Sequence, residues 1–170
     1  MRRHIQPAAI AALAICFTLL SIVGQVVIDN PMSTARDAAI AVALKDGRIL
    51  AIGGKDAAGN ALDTAEYLGA GSALVSKLAS PRTGHIAVTL NDGRVLIAGG
   101  RNAQGAIVNT TEIFDPIAES FSLASSSMLE ARAGATATLL EDGRVFIAGG
   151  EGPSGVLAST EIFEIGRAHV

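Results

Sequence analysis

The chain has 170 residues, 49% hydrophobic and 17% charged, which is the composition of one packed globular domain and excludes a disordered one. Its formal charge is −3, and with Arg2, Arg3 and Arg167 set aside 10 basic residues face 16 acidic ones. That balance excludes a nucleic-acid surface, which needs clustered Lys and Arg to displace phosphate counterions.

Residues 1–31 read as an export signal or a membrane anchor. Met1-Arg-Arg-His4 precedes an apolar run from Ala8 to Gly24 whose polar members are Thr18 and Ser21, and the run resumes after Gln25 as far as Ile28. An apolar helix is expected there, between the usual lengths of a secretory h-region and a spanning helix. Basic residues ahead of it hold the N-terminus in the cytoplasm and send the body across, so the body is expected outside the cytoplasm. Cleaved signal and uncleaved anchor both stay open, and an uncleaved helix would tie the chain to a membrane. Of the two small-x-small sites, the one ending at Gly24 is weak. The other, Ser33-Thr-Ala35, belongs to a repeat, because Met32-Ser-Thr-Ala-Arg36 returns as Met128-Leu-Glu-Ala-Arg132. Cys16, the single cysteine, lies inside this leader, so the chain can form neither an internal disulfide nor a cysteine-based metal site.

From Arg36 onward one pattern occurs three times, beginning at Arg36, Arg82 and Arg132, which are 46 and 50 residues apart. Each copy opens with an apolar strand: Ala39 to Leu44, His85 to Leu90, Ala135 to Leu140. Then come Lys45-Asp-Gly-Arg48, Asn91-Asp-Gly-Arg94 and Glu141-Asp-Gly-Arg144. Asp-Gly between apolar strands predicts a two-residue type I′ hairpin with positive φ at both residues, which makes Asp46, Asp92 and Asp142 turn residues. A second strand closes on the glycine pairs Gly53-Gly54, Gly99-Gly100 and Gly149-Gly150. It is apolar at consecutive positions, the mark of a strand covered on both faces. Polar loops follow, then third strands over Asp63 to Leu68, Asn109 to Phe114 and Ala158 to Phe163. In these, Glu66, Glu112 and Glu161 stand 12, 12 and 11 residues beyond their glycine pairs. Fourth strands are expected at Ala73 to Leu78 and Ser120 to Ala124.

A unit of this length with four antiparallel strands has the dimensions of a propeller blade. The pattern resembles bacterial kelch and galactose-oxidase-like repeats, which run Arg, strand, turn, strand with Gly-Gly, then Glu-x-aromatic-Asp-Pro and a late Trp. Copy two carries the likeness best, through Glu112-Ile-Phe-Asp-Pro116 and Phe121 near the tryptophan position. Copy one departs from it, with Leu68 for the aromatic and Gly69-Ala70 for Asp-Pro. The resemblance implies an all-β partial propeller, about 2.7 blades: residues 32–80, residues 81–128 and an incomplete blade over residues 129–164. Residues 165–170, Ile-Gly-Arg-Ala-His-Val, read as the translation of a sequencing adapter, so the repeat is expected to be cut short and further blades of the same chain are implied as partners.

No residue reads as catalytic, cofactor-binding or metal-ligating. Apart from His4 in the leader and His169 in the tail, His85 is the only histidine, and Ala39 and Ala135 fill its place in the other copies. A zinc or copper site needs several converging ligands. The family likeness raises a copper-radical oxidase as a rival, with a cross-linked tyrosine–cysteine pair and further Tyr and His ligands. Here Tyr67 aligns with Ile113 and Ile162, a packing position, and the lone cysteine is in the leader. The repeated Glu66, Glu112 and Glu161 are assigned a structural task, with an arginine or backbone amides as partner. Gly-Gly before Lys55 or Arg101 lacks the Gly-Lys-Ser/Thr of a phosphate loop.

In an up-and-down blade, the loops after the second strand and those entering the first share one rim. Lys55 to Ala61, Arg101 to Ile107 and Glu151 to Val156 differ in content while their flanks agree, as specificity loops on a rigid frame do. Arg36, Lys55, Arg82, Arg101, Arg132 and Glu151 are therefore the candidate ligand-facing residues. For the three repeated arginines, bracing of the blade is the competing reading. The expected activity is binding of a protein or carbohydrate at this rim, without a cofactor. Part of an oxidase and a structural cell-surface module are the alternatives.

Overall fold

The computed structural model describes residues 32–68 and 73–165. The expected leader helix, the Gly69-Ala70 departure and the tail beyond Ile165 fall outside these residues. Among the described residues the fold is all-β, and no helix is long and apolar enough to cross a membrane.

The first sheet takes its strands in chain order, β1 (Ile40–Ala43), β2 (Ile49–Ile52), β3 (Thr64–Leu68) and β4 (Ala73–Lys77), all antiparallel. The second repeats it with β5 (Ile86–Thr89), β6 (Val95–Ala98), β7 (Thr111–Asp115) and β8 (Ser120–Leu123). In the third, β9 (Thr136–Leu139), β10 (Val145–Ala148) and β13 (Thr160–Phe163) pair in that order. The small hairpin β11 (Glu151–Gly152) and β12 (Gly155–Val156) projects between the last two. Register is the same throughout: Ala51 faces Glu66, Ile97 faces Glu112 and Ile147 faces Glu161.

The sheets stack face to face with their first strands side by side. The Gly134 amide donates to Gly84 O at 2.8 Å and Thr89 Oγ1 to Ala43 O at 2.8 Å, and β4 lies against β8. Two apolar clusters fill the joins. Between the first and second sheets lie Leu44, Leu50, Ile52, Ala65 and Leu78 against Val95, Ile97 and Phe114. Between the second and third lie Ile86, Leu90, Leu96, Ala98, Ile113 and Met128 against Val145, Ile147 and Phe163. Strand side chains alternate between faces, so β6 sends Val95 and Ile97 one way and Leu96 and Ala98 the other, and all four are buried. Among the three second strands, coverage on both faces is thus realised in β6 alone. In β2 Ile49 is exposed, and in β10 Phe146 is, because each lies on an outer face of the stack. Phe114 and Phe121, the two aromatics of copy two, meet with ring centroids 4.8 Å apart.

The hairpin turns differ from the expected type. The Gly47 amide donates to Leu44 O, and the Leu44 amide to Arg48 O, which makes a three-residue loop with glycine in the left-handed position at φ 88°. Among the described residues, positive φ outside glycine occurs at Ala38 and Glu119, so Asp46, Asp92 and Asp142 do not adopt it. The aspartates serve the turn through their side chains: Asp46 Oδ1 accepts the Arg48 amide at 3.0 Å and Oδ2 the Arg48 Nε at 2.8 Å, and the other two turns repeat this. The hydrogen bonds from Arg48 and Arg144 hold the Asp46 and Asp142 carboxyls below the ordinary range.

Candidate binding rim and the buried clamps behind it

Each glycine pair ends a second strand where the chain crosses the segment that enters the first strand. In the middle copy the Gly100 amide donates to Arg132 O at 2.8 Å, and Gly100 has φ 94°. A Cβ on Gly100 would stand 2.7 Å from Thr83 O and 2.9 Å from His85 N, so glycine is required there by both backbone angle and space. Just beyond the pairs, two-way backbone hydrogen bonds join Lys55 to Asp37, Arg101 to Thr83 and Glu151 to Ala133. The loops after the second strands and the segments entering the first strands therefore share one end of the stack.

The repeated arginines do not face a ligand at that end. Arg82 is 1% exposed, and its guanidinium points into the sheet to donate to Glu112 Oε1 at 2.5 Å and to the carbonyls of Gly99 and Thr110. Arg132 reaches Glu161 Oε1 at 2.7 Å, with Gly149 O and Ser159 O as further acceptors, and Arg36 reaches Glu66 Oε1 at 2.8 Å, with Gly53 O and Thr64 O. This corrects the ligand-facing assignment for Arg36, Arg82 and Arg132. A guanidinium has donors enough to serve a carboxylate and two carbonyls at once, here the first glycine of each pair and the Thr or Ser whose carbonyl also accepts that glycine's amide.

The glutamates complete the clamp in the other direction. Glu66 Oε2 accepts the Ser33 amide at 2.8 Å, Glu112 Oε2 the Ala79 amide at 2.8 Å and Glu161 Oε2 the Leu129 amide at 2.7 Å. Each carboxylate thus ties its third strand to the segment just ahead of the arginine. Burial pushes the Glu66 carboxyl up, but the bonds from Ser33 and Arg36 outweigh it and leave the group below the ordinary range. Burial also lowers the Arg82 guanidinium, against the opposing pull of Glu112. Sequence reasoning missed the hydroxyls of Thr64, Thr110 and Ser159, which accept from the arginine Nη2 atoms. The signal was present: Ser or Thr stands two residues before every repeated glutamate.

The other rim candidates are in the loops. Arg101 Nη2 pairs with Glu151 Oε2 at 2.7 Å, joining the second loop to the third, with both side chains well exposed. Lys55 is partly exposed at the matching place in the first loop. Inside the loops, Asp56 Oδ1 accepts the amides of Ala58 and Asn60, and Asn102 Oδ1 those of Gln104 and Ala106. In the third loop the β11–β12 hairpin does this work, turning at Pro153-Ser154 and leaving Val156 exposed opposite Glu151.

His85 sits behind the rim, and neither ring nitrogen has a hydrogen-bond partner. Burial first, then the Arg82 charge, pushes its pKa down to about 3. Tyr67 lies at the opposite end, with its ring 4.1 Å beneath the Arg48 guanidinium and its hydroxyl on Glu119 Oε1 at 3.2 Å. Burial, and the Glu119 charge after it, raises that phenol to about 12. Among the described residues no three His, Cys, Asp or Glu side chains converge as metal ligands. A cleft of about 140 Å³ between the second and third sheets, lined by Arg94, Ser122 and Phe163 among others, is smaller than the clefts that hold drug-sized ligands.

The kelch motif family matches residues 82–128, the copy whose sequence carries the likeness best. No curated protein matches the chain in sequence. Among solved structures, a fungal alcohol oxidase of the AA5 family, described as having catalytic diversity and determined in complex with copper, is similar at a TM-score of 0.65 and 19% identity. The likeness covers 76% of this chain and 31% of the oxidase, so the chain spans about a third of that enzyme's length. Residues 82–128 thus carry a kelch motif, and the chain shares its fold with part of that oxidase.

Proposed function

We propose that the chain is a non-catalytic binding scaffold, carried outside the cytoplasm, that takes a protein or carbohydrate ligand on the loops Lys55 to Ala61, Arg101 to Ile107 and Glu151 to Val156. The observation that carries this reading is the contrast between frame and loops. Three equivalent arginine–glutamate clamps fix the strand ends, while the loops they support differ in charge and shape. Lys55, Arg101 and Glu151 supply the polar contacts. Arg36, Arg82 and Arg132 hold the frame.

Binding of the full chain to glycan and protein arrays tests this, with Lys55→Ala and Arg101→Ala as rim variants. Loss of a captured ligand in these variants at unchanged melting temperature supports the scaffold. Capture that is indifferent to both variants removes the rim from the account.

The likeness in fold to a copper-containing alcohol oxidase favours a second reading, in which the chain is part of an oxidase. The described residues do not fit a copper donor set, since His85 is enclosed between sheets and the Tyr67 hydroxyl is engaged by Glu119. Peroxide release from alcohols or sugars in the presence of copper would establish that reading in place of the first.

A further inference from the structure

Each Asp-Gly step joins an electrophile to a nucleophile. The glycine nitrogen, once deprotonated, can attack Cγ of the preceding aspartic acid. A C–N bond forms, the carboxyl oxygen leaves as water, and a five-membered succinimide results. Water then opens the ring. Opening at the former main-chain carbonyl gives isoaspartate, whose main chain runs through Cγ and is longer by one carbon, and opening at Cγ restores aspartate. One water leaves and one returns, so the conversion needs no oxidant and no cofactor. Asp46-Gly47, Asp92-Gly93 and Asp142-Gly143 are the Asp-Gly steps of the chain, and an arginine follows each. Their aspartate side chains are 46%, 49% and 50% exposed, so water reaches all three.

The hairpins lock both reacting groups. Gly47, Gly93 and Gly143 donate their amides to Leu44 O, Leu90 O and Leu140 O at 3.1, 3.0 and 3.0 Å. An amide that donates to a carbonyl is held away from the deprotonated state that attacks. Both carboxylate oxygens are engaged as well. In every turn Oδ1 accepts the amide of the arginine two residues on at 3.0 Å, and Oδ2 accepts its Nε at 2.8, 2.7 and 2.7 Å. The guanidinium Nη2 stands 2.7 Å from the same oxygen. A carboxylate pinned at both oxygens cannot turn its Cγ onto the glycine nitrogen, and an ionised one is the poorer electrophile. Burial pushes the Asp92 carboxyl up, but the Arg94 amide and side chain outweigh it and leave this group, like Asp46 and Asp142, below the ordinary range.

We propose that Asp46, Asp92 and Asp142 are isoaspartate-forming sites gated by their own hairpins, with the arginine two residues on as the gate. The turn that closes each strand pair also shelters its reactive step. Once isoaspartate has formed, the lengthened main chain no longer brings the glycine amide to the leucine carbonyl, and the turn is not remade.

The test ages the full chain in mild detergent near neutral pH, folded and in guanidinium chloride. Isoaspartate is measured at each turn by separating the isomeric peptides and fragmenting them by electron transfer. All three steps read Asp-Gly-Arg, so the unfolded chain should convert them at similar rates and the folded chain more slowly at each. Arg94→Ala removes one exposed ion pair and should raise folded-state conversion at Asp92 by about two- to fivefold, the factor such a pair carries. Asp46 and Asp142 are the internal controls and should not change. Far-ultraviolet circular dichroism checks that the variant keeps its strands, and Arg94→Gln takes its place should it lose them. The proposal is overturned by an unfolded chain without isoaspartate, by folded conversion as fast as unfolded, by an unmoved Asp92 in the folded variant, or by an equal rise at all three turns.

Discussion

Breaking one arginine–glutamate clamp should cost far more than breaking the exposed pair a few residues away. In Arg82→Met the Glu112 carboxylate, 0% exposed, keeps the Ala79 amide and loses its charged partner, while Gly99 O and Thr110 O each lose a donor. Removing one member of a buried ion pair typically costs about 3–5 kcal/mol, because the survivor is left charged and unpaired. Net stabilities of domains are about 5–15 kcal/mol, so the urea midpoint should fall by a large fraction of its value. Glu112→Leu leaves Arg82 stranded in the same way and should cost a similar amount. The double variant removes both charges and should be well short of the sum, with a coupling of up to about 3 kcal/mol. Arg101→Ala is the control: its pair with Glu151 is solvated, and its loss should cost at most about 1 kcal/mol. Urea unfolding of the four variants decides the matter. Single costs below about 1 kcal/mol at Arg82 and Glu112, or additive effects, would refute the clamp as the brace of the sheet.

Acidification should weaken the fold through His85. The unfolded imidazole takes up a proton near 6.5, whereas the buried one resists until about 3, so nothing is lost above the first value and stability declines between the two, by about 1.4 kcal/mol per pH unit. His85→Ala, the residue found in the other copies, should flatten urea midpoints compared between about pH 7.5 and pH 5.5, a window in which ordinary carboxylates stay ionised. An unchanged slope would place a partner on the imidazole. Ala38 adopts φ 52° where the other copies have Gly84 and Gly134, so Ala38→Gly should raise stability by about 1 kcal/mol, read as a melting temperature several degrees higher.

Strand positions were legible because each apolar run is bounded by Asp-Gly on one side and Gly-Gly on the other, and the same boundaries occur three times. The turn type was not. Asp-Gly fits both a two-residue and a three-residue hairpin, and the side-chain bonds from Asp46 to Arg48 that favour the longer one depend on a residue outside the dipeptide. The repeated glutamates were read as structural, with an arginine or backbone amides as partner, since a residue recurring once per copy has a once-per-copy task; Arg82 and the Ala79 amide both serve Glu112. The arginines were misplaced as rim residues because an exposed and an inward guanidinium look alike in sequence. Only the Ser or Thr two residues before each glutamate distinguishes them. Continuous apolar character in β2 and β10 suggested sheets on both sides, yet Ile49 and Phe146 are open. Pattern reports what a strand is suited to face, and neighbours decide whether it is met.

Native-state amide exchange tests the stacked arrangement most directly, since β6, with its neighbour β7, is an interior strand of the one described sheet that has a sheet packed on each face. The slowest amides in the body should be those of Leu96 to Ala98, opening only with global unfolding. Exchange at these positions as fast as in β2 and β10 would contradict the consecutive face-to-face packing of the three sheets.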